Sequence, residues 1–395
     1  MAGGTRSGSL VRNLSKRVLI LGGYGTFGSR IAQLLADRDD IQLIIAGHNR
    51  SRAESFASSL PGLAEGLRLE RDSVNLPAQL KALHLDLLIH CAGPFQGQDY
   101  HVAEACIRSG IPYIDISDDR RFVCDFHRLS AEAERAGVTL VSGASSVPGL
   151  SSAVLRELRT EFGGIDAVEI DIAPAHRIAR GLATVRAGFE SLGREFPILR
   201  AGEWRETYTG DQLRKTRLAH PVGTRWVCNF DVPDLELWPR ALPDLRHARF
   251  GTGVEPRTLQ LGLAACARLA RHNLPATQPW LARLGHRLAA RWPGGSAHGG
   301  MQIHIGGRDR DGRPLGYRWQ VLGLNGDGPW IPAAPAAALA RKILDGNYQA
   351  PGARACWELL DLREILLEMN RFSIISACER IDTSSGTPLM PALQS

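Results

Sequence analysis

Short apolar runs alternate with longer amphipathic ones between residues 17 and 144. Val18–Leu21, Gln42–Ala46, Leu67–Glu70, Leu87–Cys91, Tyr113–Ile116 and Val138–Val141 are apolar along their whole length, as strands are when helices cover both faces of their sheet. Ser29–Ala36, Ser51–Leu60, Tyr100–Ser109 and Phe122–Ala136 carry the helical period between them. Six alternations predict a doubly wound parallel sheet, a Rossmann domain over 17–146.

The pattern changes after a Pro-Gly turn. Gly149–Phe162 reads as a helix and Ala167–Ile172 as an alternating strand, whereas Pro174 to Arg257 is irregular and rich in Arg, Trp and Pro. Residues 258–292 are helical in character. Met301–Ile305 and Tyr317–Leu324, joined by DRDGRP, read as a hairpin. The expectation is an α/β chain whose second domain, 147–330, is α+β on a mixed or antiparallel sheet and holds the substrate. Helices in 331–375, including IPAAPAAALARKIL and Leu359–Asn370, should return to the first domain. The ends, 1–16 and 376–395, are polar and predict disordered tails.

Composition narrows the class. At 44% hydrophobic and 22% charged the chain can build a sizeable core. A net charge of +6 suits an anionic ligand such as a dinucleotide phosphate, or an acidic membrane surface, but no basic stripe with interleaved aromatics points to nucleic acid. The seven cysteines are scattered, which predicts reduced thiols and a cytoplasmic protein. No apolar run reaches the roughly 18–20 residues that span a bilayer. No His or Cys set has metal-ligand spacing, so no metal is expected.

The strongest motif is VLILGGYGTFGSRIAQLL. Gly23, Gly25 and Gly28 follow a strand and open a helix, with Tyr24, Thr26 and Phe27 between them. One glycine makes the turn, the second lets backbone reach a pyrophosphate, and the third packs helix on strand. At the end of the second strand, where a carboxylate would bind a ribose 2′-hydroxyl, stand His48, Asn49, Arg50, Ser51 and Arg52. Arg50 can pair with a 2′-phosphate, so NADP(H) is expected over NAD(H). An exposed, solvated helix start is the plainer account of the same arginines.

Three runs, LGGYGTFGSRIA, HCAGPFQGQDYHVAEACIRSGIPYIDISDDRRFV and VSGASSVPGLSSAVL, resemble the saccharopine dehydrogenase-like oxidoreductases, as do APAHRIARGLATVRA, CNFDVPDLELWP and NGDGPWIPAAPAAALARKIL further on. The resemblance covers nearly all of 17–365. It implies a Rossmann domain, an α/β substrate domain and NADP(H) in the cleft between them. It does not name a substrate.

Independently, Cys91, Ala92, Gly93 and Pro94 leave one strand end and Ser145 and Ser146 leave another, at the sheet edge where open α/β folds bind ligands. These residues complete the expected cofactor set. No motif identifies a proton donor; Tyr113, Asp115 and His176 are candidates by position. The clustered Arg177, Arg180 and Arg186 would suit carboxylates, whereas the tryptophans and apolar stretches suit a lipid-like substrate. Trp280, Leu281, Leu284, Leu288 and Trp292 share a helical face, which fits peripheral membrane contact, a lid or a homodimer contact. The expected function is NADP(H)-dependent hydride transfer to or from a small or lipid-like molecule. A catalytically inactive NADP-binding regulator and a membrane-surface protein stay open as alternatives.

Overall fold

A computed structural model describes residues 15–178, 188, 191–271, 291–292 and 294–381. In chain order the first domain runs β1 (Lys16–Leu21), α1 (Gly28–Leu35), β2 (Ile41–Gly47), α2 (Arg50–Ala57), β3 (Leu63–Arg68), α3 (Leu76–Ala82), β4 (Leu87–His90), α4 (His101–Ser109), β5 (Tyr113–Asp115), α5 (Arg120–Cys124), α6 (Ser130–Arg135) and β6 (Thr139–Ser142). Six strands lie in the order β3-β2-β1-β4-β5-β6, all parallel. The order reverses between β1 and β4, which opens a crevice at their carboxyl ends. Val18, Leu19, Ile20, Leu43, Ile44, Leu88 and Ile89 are essentially inaccessible, so both faces of the sheet are covered.

The second domain follows α7 (Ser151–Leu158). It contains β7 (Gly164–Ala173), β8 (Glu195–Arg200), β9 (Glu203–Tyr208), β10 (Arg214–Arg217), β11 (Thr224–Asn229), α8 (Asp234–Ala241), β12 (His247–Thr252), α9 (Arg257–Arg271), β13 (Gly299–Arg308) and β14 (Pro314–Gly323). The described residues close with α10 (Ala334–Leu344), β15 (Gly352–Ala355), α11 (Leu362–Met369) and β16 (Ile374–Ile381). Nine strands form a mixed sheet along β10-β11-β12-β7-β13-β14-β16, with β8 and β9 branching from β12. Only β12–β7 is parallel among the pairs described. Ile170, Ile303 and Trp319 bury one face of this sheet in the same core cluster as the Rossmann strands.

Several expectations need correcting. The stretch read as irregular holds β8 to β12 and α8. Strands such as EWRETY and RKTR are polar edge or near-edge strands, and no apolar run announces them. The third strand lies at Leu63–Arg68, earlier than Leu67–Glu70; it is the sheet's outer strand and largely exposed, so burial does not shape its sequence. The helix expected over Phe122–Ala136 is three pieces, with a 3-10 turn at Phe126–Leu129 between α5 and α6. The return to the first domain includes β15, which pairs with β6 as a seventh parallel strand. The first residues of the expected C-terminal tail form β16, paired with β14. Of the helical stretch 258–292, α9 is described through Arg271; residues 272–290, Arg180 and Arg186 lie outside the described residues.

Candidate active site

The glycine loop joins β1 to α1 at the crevice. Gly22 has φ +81°, and a Cβ there would lie 2.8 Å from the backbone of Cys91 and Ala92, so only glycine lets these loops touch. A Cβ on Gly23 would meet Ile20 O at 2.8 Å, and one on Gly28 would run into the backbone of Gly22. Gly25 differs. It is exposed, and its Cβ would approach only Gly22 O, at 3.0 Å. Gly23 and Gly28 therefore hold the turn together, while Gly25 presents bare backbone outward. No side chain caps α1 and its first turn carries no acid, which leaves the positive end of the helix available to an anion.

Tyr24 lies across the end of β2. Its ring lies so close over Gly47 that a Cβ there would come within 2.6 Å of it. Its hydroxyl accepts from Asn49 N at 3.0 Å, and the Arg52 guanidinium stands 4.9 Å from its ring centre. Asn49 caps α2, accepting from Arg52 N at 3.0 Å. Arg50 is exposed and pairs with Glu54 at 2.7 Å. Such an exposed i,i+4 pair is worth about 0.3–0.5 kcal/mol, so a phosphate could displace it cheaply. His48 is likewise exposed beside Tyr24.

The loop Cys91–Pro94 is half-buried. Arg71, just beyond β3, donates to Ala92 O at 2.8 Å, and Gln98 donates to the same oxygen at 3.1 Å. Beneath this loop lies a buried polar chain. Tyr113 donates to Asp115 Oδ2 at 3.0 Å and lies 3.1 Å from His90 Nδ1. Asp115 Oδ1 accepts from Ser117 N, Ser142 Oγ and Gly143 N, each at 2.9 Å. Burial holds His90 down at about 3, hence neutral, and pushes Tyr113 well above the usual phenol range. Burial raises Asp115 to about 6 against four hydrogen bonds that pull the other way. Tyr113 and Asp115 are inaccessible to solvent. Their hydrogen bonds join the ends of β4, β5 and β6 beneath the loop.

His176 is the third candidate. It lies past the end of β7, half-buried, with its backbone N donating to Glu255 at 3.0 Å and its side chain against Gly295. Ser145 and Ser146 are buried at the start of the segment after β6; Ser145 Oγ donates to Pro332 O at 3.2 Å, which engages it with the returning segment. Two residues outside the expected set belong to this edge. Arg30 on α1 donates to Thr26 O and lies 5.6 Å from the Trp330 ring, which stacks on Phe372 at 3.9 Å. Asp118, beyond β5, is exposed and accepts from Gln96 at 3.4 Å. Desolvation by the surrounding protein, then the neighbouring Asp119 charge, raises its carboxyl above the ordinary range. Asp119, not Asp118, is the cap of α5. The sequence shows the two as adjacent carboxylates, and only the fold separates their roles.

Arg120 then ties this edge to the second domain. It is 7% exposed and contacts Asp231 at 3.1 Å, Glu236 at 3.0 Å and Pro197 O at 2.9 Å. Among the described residues no helix is long and apolar enough to cross a membrane, and no cluster of His, Cys, Asp or Glu could hold a metal.

Residues 18–141 match the saccharopine dehydrogenase NADP binding domain family. The fold of the chain is similar to that of apo saccharopine dehydrogenase (L-Glu forming) from Saccharomyces cerevisiae, with a TM-score of 0.68 and 15% identity over 93% of this chain and 100% of that one. Lower similarity is found to biliverdin reductase from Synechocystis sp. PCC 6803, solved with biliverdin and NADP+ (TM-score 0.40, 12% identity, 90% of this chain and 96% of that one). A Gfo/Idh/MocA family oxidoreductase from Vibrio cholerae is also similar (TM-score 0.37, 11% identity, 91% and 96%). No curated protein sequence matches.

Proposed function

The chain carries an NADP-binding domain of the saccharopine dehydrogenase type on a fold shared with that enzyme, and from this premise we propose that it is an NADP(H)-dependent oxidoreductase acting on a small or lipid-like molecule. The observation that carries the proposal is Gly25: the one motif glycine with open space beyond it, at the free end of α1. The residues present fit the cofactor. Gly23–Gly28 and the start of α1 would hold its pyrophosphate. Tyr24, His48, Asn49, Arg50 and Arg52 would hold the 2′-phosphate end, and Cys91–Pro94, Ser145 and Ser146 the nicotinamide end. When bound, NADPH supplies a hydride.

The protein's own groups do the rest. The His90–Tyr113–Asp115 chain fixes the loops that would hold the nicotinamide end. Asp118 supplies the proton, because its carboxyl stands at the sheet edge and is raised above the ordinary carboxylate range by desolvation and by Asp119. Arg120 orients that loop through Asp231 and Glu236.

The test is an absorbance screen of NADPH oxidation across carbonyl, imine and enoyl compounds. With a substrate in hand, Asp118→Asn should lower kcat by roughly 10²–10⁴-fold with NADPH affinity unchanged. Wild-type reduction should also fall as pH rises and Asp118 deprotonates. An unchanged kcat and pH profile in Asp118→Asn would remove Asp118 from the mechanism. NADPH binding with no turnover of any compound would favour the regulatory alternative.

A further inference from the structure

Strand β16 forms one edge of the second sheet and pairs only with β14 among the described residues. The pairing runs without a bulge from Gly316–Ile381 to Gly323–Ile374. The alternation of an antiparallel ladder decides which backbone groups remain free. Leu324 N donates to Ser373 O at 2.8 Å, so Ser373 faces β14, and so do residues 375, 377, 379 and 381. Ile374, Ser376, Cys378 and Arg380 then turn their N–H and C=O away from the sheet. Ile374 N accordingly bonds back to Phe372 O at 2.7 Å.

Ile375 through Arg380 are all exposed, Ile375 by 50%. Edge strands are normally blunted by Pro, Lys, a bulge or a covering segment, because an open ladder recruits other strands. IISACERI contains no Pro or Lys, and β16 has no bulge.

We propose that β16 pairs antiparallel with β16 of a second copy of this chain, about a two-fold axis at Ala377, joining two nine-stranded sheets into one. The sequence of the strand selects this occupant and register. Outward-facing residues must meet outward-facing residues. Centred on Ala377, Ile374 meets the partner's Arg380 and Ser376 meets the partner's Cys378, each pair occurring twice, so all four outward residues of each strand are used. A hydrogen-bonded pair exchanges two bonds; because Ile374 N already donates to Phe372 O in each copy, about six are available in all. Centring on Glu379 or Arg380 would set like charges directly opposite, which is destabilising. Centring on Cys378 leaves Ile374 with no counterpart inside β16. In the chosen register Glu379 keeps its ion pair with Arg318 and lies opposite the partner's Ile375. The contact is isologous, so it closes at two copies and consumes the edge.

Light scattering on the full chain, with sedimentation over a range of concentrations, should give twice the 43.0 kDa chain mass. Ser376→Pro removes an outward N–H and no bond to β14; it should weaken the dimer at least tenfold with NADPH affinity unchanged. Ala377→Glu and Ala377→Lys guard against a fold defect. Each places like charges together on the axis and should dissociate alone, and the two mixed should recover the dimer. A 43.0 kDa species at every concentration, or an Ala377→Glu dimer as tight as wild type, overturns the proposal. Slow amide exchange at Ser376, Cys378 and Arg380 that does not depend on concentration overturns it too, because the chain would then be covering its own edge.

Discussion

At the scale of single residues, the cofactor preference rests on what is missing as much as on what is present. The end of β2 carries no carboxylate to bind a ribose 2′-hydroxyl, and Arg50 and Arg52 open the helix that follows it, Arg52 against the Tyr24 ring. The structure divides their work. Arg52 leans on the Tyr24 ring, whereas Arg50 is held only by an exposed pair with Glu54. Losing one charge-assisted contact costs about 1.5–3 kcal/mol, or roughly ten- to a hundredfold in affinity. Arg50→Ala should therefore weaken NADPH by that factor and leave NADH within about twofold, measured by fluorescence titration. Arg52→Ala should do the same and also loosen Tyr24. Equal losses for both nucleotides would mean that these arginines do not meet the 2′-phosphate. The glycine motif and these basic residues were legible in the sequence because both are local. The burial of Tyr113 and Asp115 was not, because it depends on β4, β5 and β6 converging from distant parts of the chain.

At the scale of elements, α7 and α8 meet through a buried carboxyl. Asp234, at the start of α8, accepts from Ser151 at the start of α7, and its other oxygen is buried without a partner. Burial raises Asp234 to about 7, the Ser151 hydrogen bond opposing it. A folded-state value above the unfolded value of about 3.9 means that the folded protein holds the extra proton between roughly pH 4 and 7. Stability then falls as pH rises through that window. A shift of this size corresponds to about 4 kcal/mol. Asp115 and Asp231, each raised to about 6, act in the same direction. Urea unfolding of the wild type should show greater stability at pH 5 than at pH 8, and Asp234→Asn should remove about half of that difference, Asp115 and Asp231 supplying the rest. A wild type more stable at pH 8 would contradict the assignment. None of this was visible in the run CNFDVPDLELWP, where Asp234 reads as an ordinary acid in the first turn of a helix. The inner parallel strands β1, β2, β4, β5 and β6 were visible because they are apolar on both faces; β9 and β10 are mostly polar, and β8, β11 and β12 mix buried apolar residues with charged ones such as Arg249, which faces Glu169 of β7.

At the scale of the whole molecule, the chain closes on itself. β15 completes the Rossmann sheet, α10 packs on α1, and Trp330 brings the returning segment against Arg30. Arg120 joins the carboxyl edge of that sheet to the second domain. That a second, mixed sheet joins the parallel one was readable from the change of hydrophobic pattern along the chain. The long-range closure was not, since it joins residues more than 200 positions apart, such as Ser152 and Glu358. The crevice between β1 and β4 is where a dinucleotide would enter. Fluorescence titration of NADPH into the wild type and Gly25→Val tests this most directly. The new side chain meets little but Gly22 O in the folded protein, so the fold should persist while backbone contact with the pyrophosphate is lost. Saturable NADPH binding by the wild type, weakened at least a hundredfold in a folded Gly25→Val protein, is the expected result. Equal affinity in the two proteins, or no binding to the wild type, would contradict it.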